Sequence, residues 1–374
     1  MHIWISGGGS GGHVYPGLTV RAASGLDPDQ FTWLGRAGSL EERLVVSAGI
    51  PFAPISAAPV VGRGVLGRLR AVVSLSRGLW QSWRLAGRQR PQALLVTGGY
   101  VCVPVALAAW VRRIPLYIYL PDIQPGLAIR FLARFARRIA VTAPAAEAFL
   151  PAGRCKVTGY PTRVELRAAD RQAARRRWSL MEADRLLLVF GGSQGSRRIN
   201  EALAAAAPRL LEHCHLLHLS GPRDLAAALA AREAMPAASR ERYHLEPYLD
   251  SAEMALALAA ADLAVCRAGA ATLGECPALG LPAILVPLPI SGGHQWPNAR
   301  FLQQAGAAEV LADADCSGAA LTNLVLGLLS QPDRLRDMGR RARSLDRPAA
   351  AEDIWAMVAQ SLPGPPPRVQ GVAR

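Results

Sequence analysis

Leu186-Leu187-Leu188-Val189-Phe190-Gly191-Gly192-Ser193-Gln194-Gly195 is a short apolar run that leads directly into a glycine-rich loop. The same arrangement opens the chain, where residues 2–6 (HIWIS) precede the loop 7–12 (GGGSGG). A buried strand, a turn almost free of side chains and a following helix leave backbone N–H groups that can point at an anion. Because this unit occurs twice, about half a chain apart, we expect two Rossmann-like halves that face each other across a cleft.

Strand-like runs alternate with helical stretches along the 374 residues, which predicts an α/β fold with parallel sheets. The predicted strands are 2–6, 31–34, 93–97, 116–120, 138–141, 186–190, 215–220, 243–246, 263–266, 283–286 and 309–311. Helices are predicted to begin near Pro16, Leu40, Leu66, Pro104 and Leu127, and a last one covers 349–362. The turn-rich stretch 157–163 is a plausible interdomain link.

Composition favours a globular protein with reduced thiols. The chain is 51% hydrophobic and 19% charged, and its six cysteines form no Cys-x-x-Cys pair, unlike a disulfide or zinc framework. The chain enters its first predicted strand at once, so we expect no signal peptide. Residues 93–111 are uncharged, but glycines and Pro104 interrupt them, which favours a buried strand, loop and helix over a membrane span.

The net charge of +14 is unevenly distributed. Residues 43–121 contain ten arginines and no Asp or Glu, a pattern that suits nucleic acid or lipid headgroups. Within this region, residues 66–88 predict an amphipathic helix whose apolar face carries Leu79, Trp80 and Trp83, with Arg77 and Arg84 on its flank. Tryptophans beside arginines are typical of an interfacial helix, although a helix packed on the sheet with a solvated basic flank is the alternative.

The first loop also matches the dinucleotide pattern Gly-x-Gly-x-x-Gly, which by itself is weak evidence. Arg36, at the end of the second predicted strand, leaves an NADP-dependent dehydrogenase open. His13 is a candidate base or a simple cap of the turn.

The second loop offers Ser193 and a helix end to a diphosphate. No Gly-Lys-Ser/Thr follows it, so a P-loop is not expected, but a plain tight turn remains an alternative. Glu275 lies about one turn into a later helix, where its carboxylate could accept two ribose hydroxyls or simply face solvent.

Seven blocks together resemble the MurG family, bacterial transferases that move GlcNAc from UDP-GlcNAc onto the membrane-bound cell-wall precursor lipid I. The blocks, in order between Gly7 and Ala299, are GGGSGGHVYPGL, VTGGYVCVPVALAA, VTGYPTR, FGGSQGSRRIN, CRAGAATLGE, GLPAILVPL and HQWPNA. The resemblance implies a GT-B fold, two Rossmann-like domains and a C-terminal helix that crosses back to the first. It implies an acceptor- and membrane-binding domain at 1–160, a UDP-sugar donor domain at 161–345 and the crossing helix at 346–362, before a disordered Pro-rich tail at 363–374.

The resemblance also implies roles for individual residues. Ser10, Gly11, Gly12 and His13 would face the donor diphosphate and the acceptor, and Arg163 and Ser193 would bind the donor phosphates. Leu249 would hold uracil through its backbone, and Gln295 would contact GlcNAc hydroxyls. The segment Ala270, Ala271, Thr272, Leu273, Gly274 and Glu275 would hold the sugar and ribose, with Glu275 on the ribose. No metal and no cofactor beyond the UDP-GlcNAc donor is implied, and the Asp313-Ala314-Asp315 stretch is expected to be a loop outside the donor motifs.

The sequence departs from the family in one loop. Members carry His-Glu-x-Asn before Pro-Gly-Leu, whereas this chain has Tyr119-Leu120-Pro121-Asp122 ahead of Pro125-Gly126-Leu127. The acceptor and the base are therefore open, and either His13 or Asp122 could take the proton, unless Asp122 only initiates a turn.

The expected activity is inverting GlcNAc transfer from UDP-GlcNAc to a polyprenyl-diphosphate lipid, on the cytoplasmic face of an anionic membrane, with the protein peripherally bound. A MurG-like transferase acting on another membrane lipid and a non-catalytic UDP-sugar-binding membrane protein are the alternatives. Nucleic acid is not an expected partner, because the arginines are interleaved with tryptophans on one helix and no nucleic-acid motif occurs.

Overall fold

The computed structural model describes residues 1–59, 64–192, 194–289 and 293–362, which divide into two compact units. The first unit is Met1–Pro161 together with Arg347–Arg374, and the second is Thr162–Asp346. Two features of the sequence analysis, Ser193 and the Pro-rich tail at 363–374, lie outside the described residues.

A sheet of seven parallel strands forms the centre of the first unit. The strands are β1 (Ile3–Gly7), β2 (Phe31–Gly35), β3 (Phe52–Pro54), β4 (Ala93–Gly98), β5 (Leu116–Leu120), β6 (Arg138–Val141) and β7 (Cys155–Val157). Their order across the sheet is β3-β2-β1-β4-β5-β6-β7. The first strand, β1, therefore lies inside the sheet, with β2 and β3 on one side and β4 to β7 on the other. The loops after the neighbouring strands β1 and β4 lie side by side at the carboxyl edge of the sheet.

Six α-helices accompany this sheet: α1 (Gly11–Ala23), α2 (Leu40–Ser47), α3 (Val65–Gln89), α4 (Cys102–Val111), α5 (Leu127–Leu132) and, from the far end of the chain, α16 (Ala350–Ala359). The last helix packs against α1. Trp355 of α16 is 3% exposed and lies 6.1 Å from the ring of Phe31. The C-terminal helix therefore returns to the first unit.

The second unit repeats the scheme with six parallel strands. They are β8 (Leu186–Phe190), β9 (His215–Leu219), β10 (Tyr243–Glu246), β11 (Leu263–Cys266), β12 (Ala283–Leu285) and β13 (Ala308–Val310), in the order β10-β9-β8-β11-β12-β13. The helices are α6 (Val164–Ala168), α7 (Arg171–Arg177), α8 (Arg197–Leu210), α9 (Leu225–Glu233), α10 (Ala237–Glu241), α11 (Ser251–Ala260), α12 (Thr272–Leu279), α13 (Gln295–Gln304), α14 (Gly318–Leu329) and α15 (Pro332–Ser344). This repeat confirms the prediction of two Rossmann-like domains.

All the predicted strands are present, with ends that shift by one residue at most, but β3 and β7 were not predicted. Both have three residues, stand at the two edges of the first sheet and are only partly buried. Apolar runs of the kind that reveal the central strands are therefore missing from their sequences.

The uncharged stretch 93–111 consists of β4, a glycine turn and α4, as expected for a buried strand, loop and helix. Among the described residues, none of the helices combines the length and apolar character that crossing a bilayer requires.

Candidate active site

Helix α1 starts inside the first glycine loop (residues 7–12). It begins at Gly11, whereas the sequence predicts a start near Pro16. The prediction missed the first turn because that turn contains two glycines, a residue type that disfavours helices. Ser10 is its N-cap residue, and its hydroxyl lies 3.4 Å from His13 Nδ1. The peptide groups of Ser10, Gly11 and Gly12 therefore occupy the positive end of a 13-residue helix whose first turn has no acidic residue.

His13 is held by the first glycine loop and by the end of β4. Its Nδ1 lies 3.0 Å from the carbonyl oxygen of Gly8, and Thr97 donates its hydroxyl to the His13 carbonyl at 2.6 Å. A carbonyl oxygen only accepts, so Nδ1 carries the hydrogen and Nε2 keeps its lone pair. The ring rests on Gly98, where a Cβ would stand 2.6 Å from His13 Cδ2. This tautomer is the one that a general base needs.

The altered residues 119–122 are the last two residues of β5 and the two that follow it; the first three are buried and Asp122 is half-buried. Tyr119 hydrogen-bonds the Thr142 hydroxyl at 2.8 Å, and burial raises the pKa of its phenol well above the usual value. Tyr119 is therefore a core residue. Of the positions that depart from the family pattern, only Asp122 keeps a titratable group within partial reach of solvent, at the same sheet edge as His13.

Gly191 and Gly195 of the second glycine loop pack closely against the start of α8 and the chain after β9. A Cβ on Gly191 would lie 2.3 Å from the Ser196 nitrogen, and one on Gly195, whose φ is +76°, would lie 2.2 Å from the Ser220 carbonyl oxygen. Ser196 caps α8 by accepting the Ile199 N–H at 3.4 Å. The loop thus brings a capped 14-residue helix end to the carboxyl edge of β8.

Arg267, which the sequence analysis did not single out, holds this loop in place. Its guanidinium donates to Ser196 Oγ at 2.7 Å, to the Val286 carbonyl at 3.1 Å and to Asp313 Oδ1 at 2.5 Å. Asp313, expected in a loop outside the donor motifs, begins a three-residue 3₁₀ helix and forms an ion pair with Arg267. The available signal was an arginine directly after a buried strand.

A second hydrogen-bond network that the sequence did not predict joins α8 to strands β9 and β10. Asn200 donates to the Ser220 carbonyl at 2.8 Å and to Asp224 at 2.9 Å, which leaves its oxygen to accept from His218 Nε2 at 3.0 Å. The Tyr243 hydroxyl then donates to His218 Nδ1 at 2.9 Å. Burial lowers the pKa of His218 to about 4, so the ring is neutral and its hydrogen bonds are complete.

Arg163 and Glu275 form an ion pair in the second unit. Their N–O distance is 2.8 Å, the side chains are 13% and 15% exposed, and Arg163 also donates to Ser251 Oγ at 2.5 Å. Burial raises the pKa of Glu275, and the adjacent guanidinium opposes that rise. The alternative of a solvent-facing glutamate is therefore wrong, and the two predicted donor residues lie together.

The other predicted donor residues lie at or next to the starts of α11, α12 and α13. Thr272 donates to the Gly269 carbonyl at 2.6 Å, and Ala270, Thr272 and Leu273 are less than 9% exposed, with Gly274 also buried and Ala271 half-buried. Gln295 accepts the Leu288 N–H at 2.9 Å through its side chain. Leu249 is buried directly before α11, which Asp250 caps. Among the described residues, no group of three or more His, Cys, Asp or Glu is arranged to hold a metal ion.

Helix α3 presents most of its large apolar residues outward. Ala71, Gly78, Ser82 and Ala86 face the protein, whereas Trp80 is 55% and Trp83 43% exposed and Leu79 is half-buried. Arg84 lies over the Trp80 ring at 5.5 Å, Arg112 lies over Trp83 at 4.1 Å, and Arg77 is exposed. With the end of α4, the helix borders an open groove of about 270 Å³, lined by Ser76, Leu79, Trp80, Trp83 and Val111. We call this surface the outer α3 face.

Comparison with known proteins agrees with this architecture. Residues 3–141 match the glycosyltransferase family 28 N-terminal domain, and residues 186–354 match the glycosyltransferase family 28 C-terminal domain. CalG4, the calicheamicin glycosyltransferase, shares the fold at a TM-score of 0.69 with 17% identity, covering 97% of this chain and 99% of its own. The fold and the paired domains define a two-domain glycosyltransferase with the GT-B fold.

More similar proteins specify the family. UDP-N-acetylglucosamine--N-acetylmuramyl-(pentapeptide) pyrophosphoryl-undecaprenol N-acetylglucosamine transferases from Roseiflexus sp. and Salinibacter ruber are 40% and 42% identical to this chain. The alignments cover 95% and 94% of this chain and 93% and 95% of the relatives. The crystal structure of Acinetobacter baumannii MurG superposes with a TM-score of 0.75 at 27% identity, over 96% of this chain and 99% of that one. The chain belongs to glycosyltransferase family 28 and, within it, to the MurG family.

Proposed function

We propose that the protein transfers GlcNAc from UDP-GlcNAc to the undecaprenyl-diphosphate precursor lipid I, giving lipid II for peptidoglycan. The observation that carries the proposal is identity of 40% and 42%, over nearly the whole chain, to two transferases named for this reaction. The oriented His13 and the Arg163–Glu275 pair support it.

In this proposal the second unit binds the donor. The diphosphate lies at the start of α8, where the helix end supplies N–H donors and positive charge. The family resemblance adds Ser193 and Arg163 as further ligands of the diphosphate. The Leu249 backbone holds uracil, Glu275 accepts ribose hydroxyls while paired with Arg163, and Gln295 meets GlcNAc. Ala270 and Ala271 have small side chains directly before α12, so a sugar can approach the backbone of the segment from Ala270 to Gly274. Cationic and helix-end groups stabilise the departing UDP, so no metal is required.

The chemical step is an inverting displacement. The acceptor hydroxyl attacks the anomeric carbon, the bond from that carbon to the UDP oxygen breaks, and the hydroxyl proton passes to a base. We assign this role to His13, because the Gly8 carbonyl fixes the tautomer with a free Nε2 lone pair. Ser10, Gly11 and Gly12 place the positive end of α1 beside that base, where an acceptor diphosphate can bind. Asp122 takes the place of the family's asparagine and orients the acceptor.

A transfer assay with labelled UDP-GlcNAc and a lipid I analogue tests this function. We expect wild-type turnover, a loss of kcat of about 100- to 10,000-fold in His13→Ala, and weaker UDP-GlcNAc binding in Glu275→Ala. The matched control is His213→Ala, which removes an exposed histidine and should retain full turnover. Asp122→Asn restores the family residue, and retained activity would fit an orienting role.

Other outcomes identify the alternatives. Transfer to a different membrane lipid, with none to lipid I, would replace the proposed acceptor, an alternative that the altered Tyr119–Asp122 loop supports. UDP-GlcNAc binding with no transfer to any lipid would indicate a non-catalytic binding protein.

We further propose that the outer α3 face binds the anionic cytoplasmic leaflet as a peripheral contact. Exposed tryptophans paired with arginines suit the headgroup layer, and no carboxylate in residues 43–121 opposes it. The double change Trp80→Ser and Trp83→Ser should abolish sedimentation with phosphatidylglycerol vesicles. The control Leu229→Ser alters an exposed apolar residue of the second unit and should sediment like the wild type. Equal sedimentation of all three proteins would contradict the contact.

A further inference from the structure

Glu41 is a buried carboxylate to which neither the sequence motifs nor the proposed reaction assigns a role. It is the second residue of α2 and is 4% exposed. In the described part of the chain it has no ion pair with Lys or Arg. Ser39 and Glu42 provide the local capping contacts of α2, since Ser39 accepts the Glu42 N–H and Glu42 accepts the Gly38 N–H. Helix capping therefore does not explain Glu41.

The carboxylate lies directly beneath the first glycine loop. Its Oε2 accepts the Gly9 N–H at 3.5 Å, and its Oε1 accepts the Arg36 N–H at 3.4 Å. A Cβ on Gly8 would stand 2.6 Å from Oε1, so the loop can rest on the carboxylate only with glycine at this position. A buried charge is costly unless polar groups meet it, and here one N–H comes from the loop, at Gly9, and the other from Arg36, directly after β2.

The Gly9 N–H and the Gly8 C=O belong to the same peptide group. On one side this group donates to Glu41, and on the other its oxygen accepts from His13 Nδ1 at 3.0 Å. A carboxylate that accepts from an amide N–H polarises the amide and makes its oxygen a better acceptor. One peptide group therefore connects the Glu41 carboxylate to the imidazole of His13.

We propose that Glu41 is a positioning residue for His13, acting through the Gly8–Gly9 peptide to hold the Nδ1–H tautomer and to stabilise the imidazolium after proton transfer. The proton taken from the acceptor stays on the imidazole and is not passed on to Glu41. This inference rests on the proposed role of His13 as the base.

The kinetic test compares Glu41→Gln with Glu42→Gln, its neighbour on the same helix. Glutamine keeps the size of Glu41 and an oxygen for the Gly9 N–H but removes the charge. We expect Glu41→Gln to lower kcat about ten-fold, with the KM for UDP-GlcNAc within about two-fold of wild type, and Glu42→Gln to leave both unchanged. In a His13→Ala background, Glu41→Gln should cause no further loss. Two results would overturn the proposal. One is that Glu41→Gln lowers kcat ten-fold in the His13→Ala background as well, and the other is that it lowers kcat in neither background.

A second measurement does not depend on turnover. In protein labelled with ¹⁵N-histidine, we expect the His13 nitrogens to report the Nδ1–H tautomer. We also expect Glu41→Gln to move the Nδ1 proton resonance upfield, since its hydrogen bond weakens. An unchanged resonance would refute the role of Glu41, whereas absence of GlcNAc transfer with a shifted resonance would refute only the proposed function.

Discussion

At the scale of single residues, the two glycine motifs of the first unit depend on each other. Gly8 donates its N–H to the Gly98 carbonyl at 3.1 Å. A Cβ on Gly99 would stand 2.4 Å from the Gly8 carbonyl oxygen, and Gly98 and Gly99 adopt φ angles of +130° and +92°. Both positions combine a left-handed backbone with close packing, so only glycine fits. The Thr97-Gly98-Gly99 turn therefore shapes the surroundings of His13.

Gly98→Ala should consequently disable the proposed base. The new Cβ would lie 2.6 Å from His13 Cδ2, and the displaced ring should cost about 100-fold in kcat. Gly153→Ala is the control, since its φ is +73° and no described atom lies within 4 Å of the new Cβ. That variant should lose only about 1 kcal/mol of stability and keep its activity. Equal kcat losses in the two variants would show that strain alone, not contact with His13, is responsible.

At the scale of elements, α3 shows that amphipathic periodicity does not tell which face is buried. The pattern predicts a helix with one apolar face, and an ordinary surface helix would bury that face. Here small residues form the buried face, which packs against α4 and the chain after β3. Gly78 lies so close to that chain that its Cβ would be 2.0 Å from the Ser56 carbonyl oxygen. The larger residues, Trp80 and Trp83 among them, are left on the outside.

Gly78→Ala should therefore destabilise the first unit by about 1–3 kcal/mol, since a backbone carbonyl cannot move aside easily. Gly327→Ala provides the comparison in α14, where the described structure has no atom within 4 Å of the new Cβ. That substitution should stabilise the protein by about 0.5–1 kcal/mol, because alanine loses less backbone entropy in a helix. Urea unfolding followed by circular dichroism measures both effects. A Gly78→Ala protein as stable as the wild type would mean that α3 is not packed as closely as described.

At the scale of the whole molecule, three histidines of the second unit lie in strands β9 and β10, where burial favours their neutral form. Burial lowers the pKa of His218 and of His244 to about 4 in each case, and it lowers the pKa of His215 as well. The unfolded chain binds these protons near the usual value of 6.5. Protonation therefore favours the unfolded state as the pH falls.

The sign of the pH dependence follows from these values. The contribution of His218 is complete above pH 6.5, declines as the pH falls towards 4 and changes no further below that. It amounts to about 3 kcal/mol over the window. Urea unfolding at pH 7, 6 and 5 should show this decline in the wild type and a shallower one in His218→Gln, whose side chain does not titrate. Identical slopes would indicate that other groups carry the acid sensitivity.

The sequence predicted a large part of this fold and a smaller part of the site. The central strands were predicted correctly, because buried parallel strands appear in the sequence as continuous apolar runs. It missed β3 and β7, which are partly exposed edge strands. Among site residues, Glu275 and Arg163 were predicted separately, but their pairing was not. Arg267 and Asp313 are 46 positions apart, so no local sequence pattern could predict the ion pair between them.

The sequence by itself determined the architecture and the family: two glycine loops after two apolar runs, and seven motif blocks in order. These are local or ordered features, which periodicity and spacing preserve along the chain. Only the tertiary structure decided which side chains meet, that α3 turns its tryptophans outward, and that one peptide group joins Glu41 to His13. Such contacts depend on the close approach of segments distant in sequence, and packing geometry, not local propensity, sets that approach.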